Sequence, residues 1–216
     1  MTIPESVKGI GKLAFYGCTS LTKIFYNAVS VKDLLDYNGK DQYGHIKYIY
    51  YEAFYNVGNN GSGITVVFGD NVQTIPACLF YVSDSRYRPN ITSVTIGDSV
   101  TSIGDSAFSG CSGLTKVHIT DLAAWCTIEF SNSSSNPLCY ANNLYLNDSL
   151  ITDLIIPDSV TSIGDSAFSG YSGLTSVTIG NSVTSIGNSA INSERDFRKT
   201  QQKISNNIEN SLQMIA

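Results

Sequence analysis

The chain has 216 residues, a formal net charge of −5 and a pI near 4.9; 42% of its residues are hydrophobic and 14% charged. That hydrophobic content excludes a disordered polypeptide, and a charge-poor, mildly acidic chain without a Lys/Arg stripe lacks the electrostatic footprint of a nucleic-acid binder. No apolar run reaches the roughly 18 residues a membrane-spanning helix needs.

The N-terminal stretch Met1-Thr2-Ile3-Pro4-Glu5 has neither the basic nor the apolar region of a signal peptide. It leads directly into a motif that the chain then repeats. The first copy, Ile3 to Tyr26, contains Ala14-Phe15 and Gly17-Cys18. Residues 27–44 interrupt the pattern, and Val31-Lys32-Asp33-Leu34-Leu35 predicts a short helix ending near Asn38-Gly39. A weaker copy centres on Ile46, Ile49 and Ala53-Phe54. After a polar loop over 56–63, another copy runs from Ile64 to Phe80, where Cys78-Leu79-Phe80 replaces Ser-Ala-Phe.

Beyond a second loop, 81–90, two clear copies occupy 91–113 and 151–173. Asp98 to Gly110 reads DSVTSIGDSAFSG, and Asp158 to Gly170 repeats it without change. Between them, 120–150 is a second interruption. Asp121-Leu122-Ala123-Ala124-Trp125-Cys126 predicts an insertion helix that packs its Trp on the array, and Asn136-Pro137-Leu138 with Leu144-Tyr145-Leu146 rebuilds one irregular coil. An incomplete copy covers 174–191.

The elementary period is 23 residues, seen from Val94 to Val117, Ile96 to Ile119 and Ile156 to Ile179. The consensus unit reads L-T-x-V-x-I-P/G-x-S-V-x-x-I-G-x-x-A-F-x-G-C-x-x. The alternation in Val117-His118-Ile119 suits a short strand; Val-x-x-Ile-Gly and Ala-Phe turn the chain and point apolar groups back inward. One such unit cannot bury enough surface to order itself, so units must stack, as in solenoids. Residues 192–216 depart from the pattern: Phe197, Ile204, Ile208, Leu212 and Ile215 form a helical stripe, read as an amphipathic helix capping the open end. The N-terminus has no such cap, which is expected of a piece of a longer array.

The repeated IPxSVxxIGxxAFxGCxxLTxVxI resembles the BspA-like leucine-rich-repeat family of bacterial surface proteins, over roughly residues 3–191. The resemblance implies a leucine-rich-repeat solenoid of about 6–7 coils, a right-handed superhelix with a parallel β-sheet on the concave face and loops or short helical turns on the convex face. It also implies a cell-surface or secreted protein, often adhesive. The expected binding surface is the outward side of the strands: Lys23, Phe25, Thr65, Val67, Ser93, Thr95, Lys116, His118, Asp153, Ile155, Ser176 and Thr178. Its partner is expected to be a host, matrix or cell-surface protein.

Three further readings remain open. Tyr43, Tyr48, Tyr50, Tyr51 and Tyr55 either stack on a glycan or fill the core of a degenerate coil. A passive spacer is the second. His118 and Cys126 invite a Cys–His nucleophile, but no orienting group or oxyanion motif accompanies them. Neither catalysis nor a cofactor is expected. Cys18, Cys78, Cys111, Cys126 and Cys139 are odd in number and form no CxxC pair, and two histidines without ligand spacing make no metal centre. Cys18 and Cys111 share a repeat position that Tyr171 also fills, as packing residues do. Asp98, Asp105, Asp158 and Asp165 recur with the repeat as turn residues.

Overall fold

The computed structural model describes residues 1–191. The expected capping helix over 192–216 lies outside the described residues. The chain is a β-solenoid of about seven turns with little helix.

One strand from each of the first turns joins a parallel sheet in the order Thr2–Ile3, Lys23–Tyr26, Ile64–Phe68, Ile91–Thr95, Lys116–Ile119, Leu144–Leu146. The strands form where Val, Ile and Phe alternate with polar residues. In Ile64–Phe68 the side chains of Ile64, Val66 and Phe68 are buried, while Thr65 and Val67 lie half-buried on the other side. A second parallel ladder, of two-residue rungs, comes from the Val-x-x-Ile segments and, in the irregular turn, from Thr127-Ile128-Glu129-Phe130: Thr74–Ile75, Ser102–Ile103 and Glu129–Phe130, then Ser162–Ile163 and Ser185–Ile186. The sequence reads these segments as plain turns; stacked at the same height, each short extended stretch finds the same stretch one turn away and pairs with it.

Ala-Phe closes each turn inward. Ring centroids of Phe15, Phe54, Phe80 and Phe108 follow one another at 4.9, 5.0 and 5.7 Å. Phe168 is also buried, beyond the irregular turn. The residue before this pair is left-handed in every turn that has one: Leu13, Glu52, Cys78, Ser106, Ser166 and Ser189 have φ between 47 and 59°. The corner thus holds a conformation that costs an L-residue about 1–2 kcal/mol. It allows the next turn's backbone to be met: Cys78 N donates to Asp105 O and Phe80 N to Ala107 O, at 2.9 and 3.0 Å. The glycine closing A-F-x-G is left-handed too. At Gly170 (φ 79°) a Cβ would stand 2.7 Å from Cys139 Cα, so the close stacking there requires glycine.

The two interruptions differ. Residues 27–44 contain no helix. Leu35–Lys40 and Ile46–Tyr50 pair antiparallel as a hairpin with a bulge between Tyr37 and Lys40. The apolar residues here are too few and wrongly spaced for a helical face, whereas Asn38-Gly39 and the Asp41–His45 tip favour a reversal. Asp41 accepts from the backbone N–H of Tyr43 and His45 at 2.8 and 2.9 Å. Ile46 and Ile49 therefore lie on the exposed finger, not in a coil core; Ala53-Phe54 does occupy the core.

The second interruption is built in. Asp121 caps the helix Leu122–Cys126 by accepting from Ala123 N and Ala124 N. Trp125 is buried and donates from Nε1 to Ala167 O at 3.0 Å. A further helical turn, Leu138–Ala141, follows Asn136-Pro137.

This irregular turn interrupts both ladders. Asn147 and Asp148, both at positive φ, reverse the chain so that Ser149–Leu150 pairs antiparallel with Leu144–Leu146. The sheet therefore resumes only as a separate pair, Asp153–Ile155 with Ser176–Thr178. On the other flank Gly104 N, Ser131 N and Gly187 N donate to Ile75 O, Ile103 O and Ile163 O, but Gly164 N reaches Cys126 O in place of Phe130 O. A cleft of about 340 Å³ opens between Thr127–Phe130 and Ser162–Asp165.

The last described turn is less covered than its equivalents. Ile186 is 39% exposed where Ile103 is fully buried, and Val177, Ile179 and Val183 are half-buried.

Candidate interaction face

The outward side chains of the strands stand in two files set by the register. The first is Lys23, Thr65, Ser93 and Lys116; the second is Phe25, Val67, Thr95 and His118, continued by Tyr145 and Leu150. Lys23, Phe25, Lys116 and Leu150 are exposed and the others half-buried. Lys23 Nζ lies 4.7 Å from the Phe25 ring centroid and Lys116 Nζ 6.0 Å from that of Tyr145. His118 stacks on Tyr145 at 4.9 Å with an interplanar angle of 13°, and its Nδ1 is 3.0 Å from Asp148 Oδ1.

Eight of the twelve expected face residues therefore share one sheet. The other four do not join it: Asp153 and Ile155 face Ser176 and Thr178 in the separate pair. Asp153 accepts from Thr175 Oγ1 and Ser176 Oγ, both at 2.7 Å, and these hydroxyls hold its carboxyl below the usual range. The reason for the split is the tight turn at Asn147-Asp148, both left-handed though neither is glycine, in a segment whose sequence reads as an irregular coil. Tyr145 was legible as a face residue from the alternation Leu144-Tyr145-Leu146, since the middle residue of a strand buried at Leu144 points outward. Asp148 and Leu150 were not, because their position depends on the reversal.

Exposed carboxylates follow the strands along one rim: Asp70, Asp98, Asp121 and Asp148 each come within a few residues of a strand end. Asp98 accepts from Thr120 Oγ1 of the next turn at 2.5 Å.

The tyrosines cluster in two other places. Tyr37, Tyr43 and Tyr48 are exposed on the hairpin, Tyr43 by 75%. Tyr50 and Tyr51 are half-buried at its base, Tyr50 4.4 Å from the Tyr81 ring and Tyr51 donating to Asp36 at 2.8 Å. None of the five fills a coil core. Tyr55 belongs elsewhere, in a stack with Tyr16 and Tyr87 at 5.4 and 4.8 Å along one flank. The stack arises because Tyr16 and Tyr55 follow Ala-Phe at the same repeat position.

Cys126 is buried, and burial pushes its thiol up to about 12. The nucleophile in a Cys–His pair is the thiolate, so this environment works against that chemistry, while His118 is engaged on the sheet face with Tyr145 and Asp148. Cys78 and Cys111 are likewise pushed up to about 12 by burial. Among the described residues no three His, Cys, Asp or Glu side chains gather to hold a metal ion, and no helix is long and apolar enough to cross a membrane.

A leucine-rich cell surface protein from Faecalibacterium prausnitzii is identical at 22% of aligned positions, with 86% of this chain and 56% of that one covered and a TM-score of 0.30. A leucine-rich repeat protein from Bacteroides ovatus is 14% identical over 86% of this chain and 74% of its own, with a TM-score of 0.19. This chain spans just over half the length of the first of these. No curated protein matches. The BspA type leucine-rich repeat region matches in 6 copies, over residues 1–38, 42–136, 86–190 and 139–213. Those copies span the stacked turns, so this chain belongs to the BspA-type leucine-rich-repeat family.

Proposed function

We propose that the chain is a non-catalytic interaction module of a cell-surface or secreted protein, which binds a protein partner through the outward face of its parallel sheet. The observation that carries this reading is the pair of registered side-chain files running across five strands, from Lys23 and Phe25 to Tyr145. A surface of fixed spacing on a rigid sheet suits many modest contacts in place of one deep pocket. Membership of a repeat family supports the same reading, because stacked repeats offer extended surfaces.

The test is binding to a panel of immobilised matrix and cell-surface proteins. Ser93→Trp with Thr95→Trp places bulk at the centre of the face, and binding should fall at least tenfold while unfolding stays cooperative. Retention of full binding by that variant overturns the reading.

A second reading is glycan recognition by the hairpin, favoured by the exposed rings of Tyr37 and Tyr48 opposite each other in register. Selective glycan retention that disappears with Tyr37→Ser or Tyr48→Ser, and is indifferent to the face variant, supports this reading over the first. Failure of both sets leaves a spacer.

A further inference from the structure

We propose that the strand face accepts an extended, acidic polypeptide segment whose carboxylates lie four residues apart, one reaching Lys23 and the other Lys116; this rests on the strand face being the binding surface.

Charge is the first argument. The chain carries −5 overall, yet the two files contain two ammonium groups and no carboxylate. The exposed carboxylates Asp70, Asp98, Asp121 and Asp148 stand along the rim at the strands' C-terminal ends. An acidic segment is repelled from that rim and drawn to the file that holds the lysines. Among the described residues neither lysine forms a salt bridge. Each instead lies near an aromatic ring, Lys23 over Phe25 and Lys116 by Tyr145. A ring restrains the ammonium without cancelling its charge.

Spacing is the second argument. Lys23, Thr65, Ser93 and Lys116 occupy successive strands in one register. Three strand spacings make about 14 Å. Four residues of extended chain also span about 14 Å, and an even interval puts both side chains on the same side. The hydroxyls of Thr65 and Ser93 lie under the residue between them. Side chains at the alternate positions fall over the second file, where Phe25, Val67 and Thr95 offer apolar and methyl surface. The match favours a polypeptide over an anionic glycan because both its period and its alternation are those of a β-strand.

The limits of the site are also set. Beyond Lys116 the sheet meets Asp148, and past the interruption Asp153 stands at the position where a further lysine would extend the file.

The probe is a synthetic peptide of about twelve residues with two glutamates four positions apart and valines at the intervening odd positions. Its control carries the same composition with the glutamates three apart. Fluorescence anisotropy with the full chain at low ionic strength should show the control binding at least about threefold more weakly. Lys23→Glu and Lys116→Glu should each cost about threefold and together about tenfold, the scale of exposed ion pairs. Lys40→Glu and Lys47→Glu, on the hairpin, should change nothing. Equal binding of the two peptides, or indifference to both lysine variants, overturns the proposal. So does a heparin oligosaccharide that displaces the peptide and depends more strongly on the same lysines. If neither peptide binds while the Ser93→Trp, Thr95→Trp protein loses a partner from the immobilised panel, the acidic-segment proposal fails and the strand-face reading stands.

Discussion

The two interruptions of the repeat have opposite fates. In the first, Ala28 and Leu34 stay in the core, but Leu35–Tyr50 leave the solenoid as a hairpin whose Tyr37, Tyr43, Ile46, Tyr48 and Ile49 face solvent. Residues 120–150 become a turn of the solenoid, with Leu122, Trp125, Cys126, Ile128 and Leu138 buried. Both are rich in large apolar side chains, so hydrophobicity alone does not decide between them. What differs is how each segment meets its neighbours. The second supplies groups that satisfy the next turn's backbone: Trp125 Nε1 to Ala167 O, and Asn136 Nδ2 to Ser166 O at 2.7 Å and Ala167 O at 3.2 Å. The first spends its hydrogen bonds within itself and touches the solenoid only at its root, where Leu34 N donates to Ala77 O and Asp33 accepts from Ala77 N. An insertion joins the array when it can take over the backbone pairing it displaces.

Trp125→Ala gives the comparison its hardest test. Loss of a buried indole should lower stability by about 3–5 kcal/mol, read from urea unfolding. A change below about 1 kcal/mol would place this insertion with the first. Asn136→Ala should follow at about 1–3 kcal/mol, since Ser166 O, Ala167 O and Leu138 N all lose a partner.

Thiol chemistry gives a third contrast. Cys18 is exposed, whereas Cys126 within the second insertion is buried with its thiol pushed up to about 12. Alkylation followed by mass spectrometry should therefore modify Cys18 well before Cys126. The folded thiol binds its proton more tightly than the unfolded one, whose value is near 9.0. That contribution is full below about pH 9 and is lost as pH rises towards 12; because Cys78 and Cys111 shift alike, the urea midpoint of the wild type should fall more across this alkaline range than that of Cys126→Ala. Equal falls in the two proteins would mean that Cys126 titrates as it does in the unfolded chain.

Ser166→Gly tests the regular corner that both insertions must reproduce. Relief of the left-handed serine, less the added chain entropy, should raise stability by about 0.5–1 kcal/mol. The smallest effects belong to the hairpin: Tyr37→Ser and Tyr48→Ser should each stay within about 0.5 kcal/mol. A larger loss would show that the finger is packed against something.

The regular turns were legible because one 23-residue pattern fixes strand, corner and inward face together, and Phe15, Phe54, Phe80 and Phe108 meet as the pattern requires. The Asp121-capped helix and the buried Trp125 were legible for a local reason: a capping side chain stands just before an apolar run. Three features were not. The second ladder is invisible within one turn, because two residues form a strand only when a neighbour lies at the same height. The hairpin at Leu35–Tyr50 competes with a helix over the same apolar residues, and the tip decided it. The division of the face at Asp153 follows from the reversal at Asn147-Asp148, which moves no apolar residue out of pattern and so leaves the periodicity intact.

That reversal also marks where successive turns stop sharing a sheet. Around it, the principal sheet and the two-residue ladder are both interrupted. The turns on either side are joined by isolated bonds such as Gly164 N to Cys126 O and Asn136 Nδ2 to Ser166 O, not by a continuous ladder. In a linear array, cooperativity passes only from neighbour to neighbour. Across this seam, coupling therefore rests on the shared apolar core, with Trp125 bonded to Ala167 O, and on those bonds, not on a sheet common to both sides.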